Sequence, residues 1–292
     1  MKSAVGWFYL CWILPGVVVA LVPLPQPISS FHYNVIIYLC VAVYMVAISS
    51  TAYRVVCEMF SLSSAKVWGC FVLAGTLFAC LYTAVYLGGG SSMGVDVIWS
   101  ANLLFLATLL GGVLSSAVKR VGELVPVCLT AAVADTMSVA IGPTRSMTED
   151  LVVYYRKGME GPPPLVDLIV VKTAVPGSAK SFPLFGVTDW IFVVLLSTAL
   201  LRMKKSDNIF PLALNRRSWF FVPVSALALY CAVVLARLTG VFVPAMVVIA
   251  AFFVVFLFVG YNLRGELKRI DVAYSVMFPL AVAALILLID ID

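Results

Sequence analysis

The chain has 292 residues, of which 63% are hydrophobic and only 11% charged, with a net charge of +5. A soluble domain carries roughly a quarter charged residues, so this composition excludes a water-soluble globular protein. The modest positive balance lies mostly in breaks between apolar runs, where membrane insertion places it, and argues against a nucleic-acid partner.

A bilayer-spanning helix needs roughly 20 mostly apolar residues. Such runs recur at about 4–23, 33–53, 67–88, 97–118, 124–142, 182–203, 218–238, 240–261 and 270–289. They are continuously apolar and do not alternate, so they read as helices and not barrel strands. The expected fold class is an all-α polytopic membrane protein of about nine transmembrane helices. The first run follows Lys2 but is too long for a signal peptide, and it ends at Val22-Pro23-Leu24-Pro25 without a small-residue cleavage site, so it reads as a retained helix.

Lys and Arg gather after every second span: Arg54 and Lys66, Lys119 and Arg120, Arg202 with Lys204, Lys205, Arg216 and Arg217, then Arg264, Lys268 and Arg269. The intervening loops are poor in positive charge and the chain ends Asp290-Ile291-Asp292, which puts the amino terminus inside and the carboxyl terminus outside. The seven cysteines form no Cys-x-x-Cys pair and read as small core residues. Without any Asn-x-Ser/Thr acceptor, the expected location is the cytoplasmic membrane of a prokaryote. The long loop at 143–181 is nearly balanced in charge and is broken by Gly161-Pro-Pro-Pro164. The β-branched stretch Leu165–Lys172 within it reads either as a strand near the membrane surface or as a plain connector.

Two carboxylates stand within apolar runs, Asp135 and Asp189. Ionisable groups in hydrocarbon are costly, so each is a candidate for function. Asp135 precedes Gly142-Pro143 by about two turns and Asp189 follows the start of its run by about two turns, which puts both roughly 10 Å below one membrane face. If they meet, they share a proton, and the pair can perform aspartyl-protease chemistry with neither metal nor cofactor. A proton or cation relay in a transporter, and a purely structural role as helix caps, fit the same residues. His32 is the only histidine and sits at a helix start, which excludes a His-Glu-x-x-His zinc site and disfavours a Ser-His dyad.

Over 122–250 these residues resemble the presenilin and signal peptide peptidase family of intramembrane aspartyl proteases, particularly its archaeal homologues. Ala134-Asp135 resembles the Tyr-Asp motif, and Asp135-x-x-Ser138-Val139 followed by Thr144-x-x-Met147 is similar to the archaeal pattern. Gly186-Val187-Thr188-Asp189 resembles Gly-x-Gly-Asp, and Pro244-Ala245-Met246 resembles Pro-Ala-Leu. Ala134, Thr188 and Met246 depart from the family residues, and four helices precede Asp135 where the family has five.

The resemblance implies a presenilin-like bundle divided as 1–121, a catalytic part at 122–262 and an added helix at 263–292. It implies Asp135 and Asp189 as the catalytic pair, with Gly186, Val187, Thr188, Pro244, Ala245 and Met246 binding substrate. It further implies that Leu165–Val171 adds a strand to an extended substrate, a transmembrane peptide or protein segment within the bilayer. A non-catalytic relative that binds membrane helices is the remaining alternative.

Overall fold

The computed structural model describes residues 2–21, 30–87, 92–157, 159, 163–176, 181–210, 220–240, 243–261 and 263–289. The breaker at 161–162, the pair Arg216-Arg217 and the acidic end 290–292 lie outside them. Among the described residues the fold is all-α apart from one hairpin. Its helices are α1 (Lys2–Leu21), α2 (Ser30–Met59), α3 (Ser64–Leu87), α4 (Met93–Leu114), α5 (Leu124–Ala140), α6 (Pro143–Arg156), α7 (Val187–Arg202), α8 (Val224–Thr239), α9 (Ala245–Gly260), α10 (Leu263–Glu266) and α11 (Arg269–Ile289). The hairpin strands are β1 (Val170–Thr173) and β2 (Phe182–Gly186).

Among the described residues, five helical stretches are long and apolar enough to cross a membrane: His32–Met59, Ser64–Ala84, Met93–Ala117, Val121–Ala140 and Arg269–Leu288. Shorter apolar helices cover Ser3–Val19, Val224–Thr239 and Ala245–Gly260. On α3, Trp68, Val72 and Leu73 are 67%, 67% and 74% exposed, a surface that water would penalise and lipid would not. By length and composition these helices are consistent with an integral membrane protein. Three of their hydroxyls are satisfied locally: Thr76, Thr108 and Thr136 each donate to the carbonyl four residues earlier at 2.7–2.8 Å.

The chain divides into two units. The first comprises Met1–Val113, Val170–Val194 and Asn208–Pro223. Its core holds Phe8, Trp12, Tyr44, Ile48, Leu104 and Trp190, all fully buried. Asn102 on α4 is buried and satisfied twice, donating to the Ala74 carbonyl at 3.0 Å and accepting from the Tyr9 hydroxyl at 2.9 Å, which ties α1 and α3 to α4.

The second unit comprises Leu114–Ile169, Leu195–Asp207 and Val224–Asp292. Here α5 packs on both α9 and α11, and α8 packs on α9. Residues 263–292, expected as an addition, therefore belong to the same unit as the Asp135 helix. Arg120 holds them there by donating to both carboxylate oxygens of the fully buried Asp271, at 3.0 and 3.3 Å. Gly122 lies under that pair, where an added Cβ would come within 2.7 Å of Asp271 Oδ2.

Three local expectations need correction. The loop at 143–181 contains α6, which starts on Pro143 at its first turn and carries an Arg145–Glu149 pair at 3.3 Å on its exposed face. The strand begins at Val170 and not at Leu165, because Leu165–Ile169 forms a 3-10 turn in which buried Asp167 accepts the Tyr155 hydroxyl at 2.7 Å. Of the cysteines, only Cys128 is buried, while Cys57 and Cys80 are exposed on the faces of α2 and α3.

Candidate functional site

Asp135 lies in the last two turns of α5 and Met246 in the first turn of α9. A helix start leaves four backbone N–H groups without intrahelical partners. Pro244, the N-cap of α9, offers no side-chain acceptor for them. The acceptor comes from the neighbouring helix: the Met246 N–H donates to Asp135 Oδ2 at 3.1 Å, across 111 residues of sequence. The N-terminal end of α9 also supplies a favourable dipole for a negative charge at that point. Among the described residues this is the one hydrogen bond Asp135 makes, which leaves its other oxygen open.

Asp189 lies in the first turn of α7, two residues after Val187 opens the helix. The expected depth of two turns is therefore too large, because Phe182–Gly186 is strand and Pro183 and Gly186 keep it out of the helix. Gly186 occupies the N-cap position and its N–H donates to Asp189 Oδ2 at 3.1 Å. This is half of a capping box, with the acid at the third helical position reaching back to the cap. Thr188 is exposed on the first turn and Val187 half-buried, so the threonine in place of glycine meets no crowding. The next residue, Trp190, is fully buried and donates its indole N–H to Thr108 Oγ1 at 3.0 Å, which fixes the start of α7 in its unit.

The hairpin feeds into this turn. β1 and β2 are antiparallel, with Val170 opposite Gly186 and Thr173 opposite Phe182, and the register shifts between Val171 and Lys172. All four β1 residues are buried, and the Lys172 N–H is taken by Ser100 Oγ of α4 at 2.7 Å. Of the stretch Leu165–Val171, only Val170 and Val171 are strand, the first five residues being the 3-10 turn. The half-exposed strand is β2, the one continuous with Asp189.

Sequence reading passed over the group that anchors this hairpin. Asp96, buried in the first turn of α4, takes a hydrogen bond from the Ser181 hydroxyl and pairs with buried Lys172 Nζ at 3.6 Å. One carboxylate thereby holds both arms. Lys172 closing a β-branched run was the available signal; its partner lies 76 residues away and carries none.

The structure therefore brings Asp135 together with Pro244-Ala245-Met246 in one unit, and Asp189 together with Gly186, Val187 and Thr188 in the other. Compared with known protein families, with curated proteins and with solved structures, the chain matches none.

Proposed function

We propose that this chain is an intramembrane aspartyl endopeptidase of the presenilin and signal peptide peptidase type, hydrolysing peptide bonds in transmembrane segments or remnant signal peptides. Asp135 and Asp189 are its catalytic pair. The observation that carries this reading is the Met246 N–H on Asp135: three short motifs are each weak, but a contact between two of them over 111 residues is what a shared site requires.

In the proposed reaction one carboxylate takes a proton from a water whose oxygen attacks the scissile amide carbon. The other, protonated, donates to the carbonyl oxygen, and the proton gained by the first passes to the leaving nitrogen as the C–N bond breaks. A helical substrate hides its amides in its own hydrogen bonds, so it must be extended first. β2 supports that step as the half-exposed edge leading into Asp189. In this reading nine helices cross the cytoplasmic membrane of a prokaryote, with the amino terminus inside, and the preferred substrates are helices whose own amino terminus is cytoplasmic.

Asp135→Asn and Asp189→Asn test the assignment well, because the amide oxygen still accepts from Met246 or Gly186 while the proton-transfer role is gone. Both variants are expected to insert and fold, and to leave a reporter transmembrane helix uncut in proteoliposomes. Cleavage retained by either one overturns the reading. Proton or solute flux through wild-type liposomes without peptidase activity would assign the carboxylates to a transporter instead.

A further inference from the structure

Away from the two aspartates, a groove of about 510 Å³ opens between α1 and α2, lined by Trp7 and Cys11 on one side, Val43, Ala47 and Arg54 on the other, and Phe220. That volume is in the range of small-molecule sites, roughly 300–1,000 Å³. Its hydroxyls are turned away: Ser50 donates to the Val46 carbonyl and accepts the Phe221 N–H, and Thr51 donates to the Ala47 carbonyl. The lining is then apolar along its length, with one charge, Arg54, near the end of α2.

The dimensions match one membrane leaflet. From Ala42 to Arg54 α2 rises about 18 Å at ~1.5 Å per residue. The hydrocarbon of one leaflet is about half of ~30 Å. Trp7 near the start of α1 and Arg54 near the end of α2 belong to the same membrane end, the pairing of indole and cation found at headgroup level. The charge alternation makes that end cytoplasmic, the leaflet that carries anionic lipid. A soluble anion would gain nothing from the apolar length, and an uncharged lipid nothing from Arg54.

We propose that this groove is a binding site for one anionic glycerophospholipid, with an acyl chain along α2 past Ala47 and Val43 and the phosphate on Arg54. The site is independent of the aspartates. The test is native mass spectrometry of the full-length protein after reconstitution with equimolar phosphatidylglycerol and phosphatidylcholine and extraction into detergent. Wild type is expected to retain one phospholipid, with phosphatidylglycerol preferred about fivefold for a single arginine near the surface.

Arg54→Gln should hold a lipid without that preference. Val43→Trp, at a position 61% exposed and so harmless to folding, should lose both lipids. Equal retention of the two lipids by wild type, or unchanged retention in Val43→Trp, overturns the proposal. Displacement of the bound species by millimolar inorganic phosphate also overturns it, in favour of a plain anion site, as does a retained peptide in place of lipid.

Discussion

Met246→Pro removes one donor from the site and sets helical Ala245 before a proline. The lost N–H is the one that reaches Asp135 at 3.1 Å. It lies in the first turn of α9, where no intrahelical bond depends on it and proline's fixed φ is tolerated. A hydrogen bond to a charged group contributes about 1.5–3 kcal/mol. At about 1.4 kcal/mol per tenfold, its loss should lower kcat/KM roughly 10- to 100-fold if Asp135 does the chemistry. Ala245→Pro is the control: it puts the same ring at the first helical position, where the extended Pro244 already suits a following proline, and keeps the Met246 N–H. That variant is expected to stay within about threefold of wild type, allowing for the small cost of a proline in a compatible position. The assay is cleavage of a reporter transmembrane helix by the full-length protein in proteoliposomes, with product ends read by mass spectrometry. If Met246→Pro cuts as fast as Ala245→Pro, the contact that supports the function is incidental and the reasoning fails.

Arg120→Met should strand the buried Asp271 carboxylate at a cost of about 3 kcal/mol, the low end for a broken buried pair because Arg120 keeps 32% of its side chain exposed. In a variant whose only cysteine is Cys128, thiol labelling on heating should show α5 opening about 6–12 °C earlier, and Arg120→Met with Asp271→Leu should recover most of the loss. Asp207, between α7 and α8, is fully buried and accepts from Ser197 at 2.9 Å; burial pushes its pKa up from 3.8 to about 7. Unfolded chains then release this proton near pH 4 and folded ones near pH 7, so stability should fall as pH rises between those values, and Asp207→Asn should flatten that slope in thermal scans. Orientation is checked by impermeant thiol labelling at Ser146→Cys and Phe210→Cys, both exposed positions, in a background without native cysteines; label entering from outside at 210 and not at 146 would invert the topology.

The long helices were legible because hydrocarbon allows no other solution: a run that must satisfy its own backbone and face lipid has to be apolar throughout. The amphipathic helix α6 obeys a different rule and was missed. Its signal was present, with Met147, Leu151, Tyr154 and Tyr155 at intervals of four, three and one behind Pro143, but charges among them gave the segment the composition of a loop. The start of β1 was not legible at all. Val166 and Ile169 read as strand, but the Asp167 N–H closes a turn on the Pro164 carbonyl and its side chain accepts the distant Tyr155 hydroxyl. Arg120 illustrates the same limit, since a basic residue after a span is expected for topology alone and its partner is 151 residues away.

The candidate site was legible as residue types and not as geometry, and the geometry explains why those types occur. A carboxylate in hydrocarbon is costly unless something nearby favours its charge. Both aspartates find the same remedy, a backbone N–H at a helix start: Asp135 takes one from α9, and Asp189 takes one from the cap of its own helix α7. Proline at 244 matters because it provides no cap and so leaves the first-turn donors of α9 for Asp135. Glycine at 186 matters as the N-cap whose N–H the acid three residues on accepts. The spacing of Gly-x-x-Asp and the position of Pro-Ala-Met are thereby set by helix-end chemistry. An aspartate so held remains a fixed acceptor in either protonation state, which is the property a proton-transferring pair inside a membrane needs.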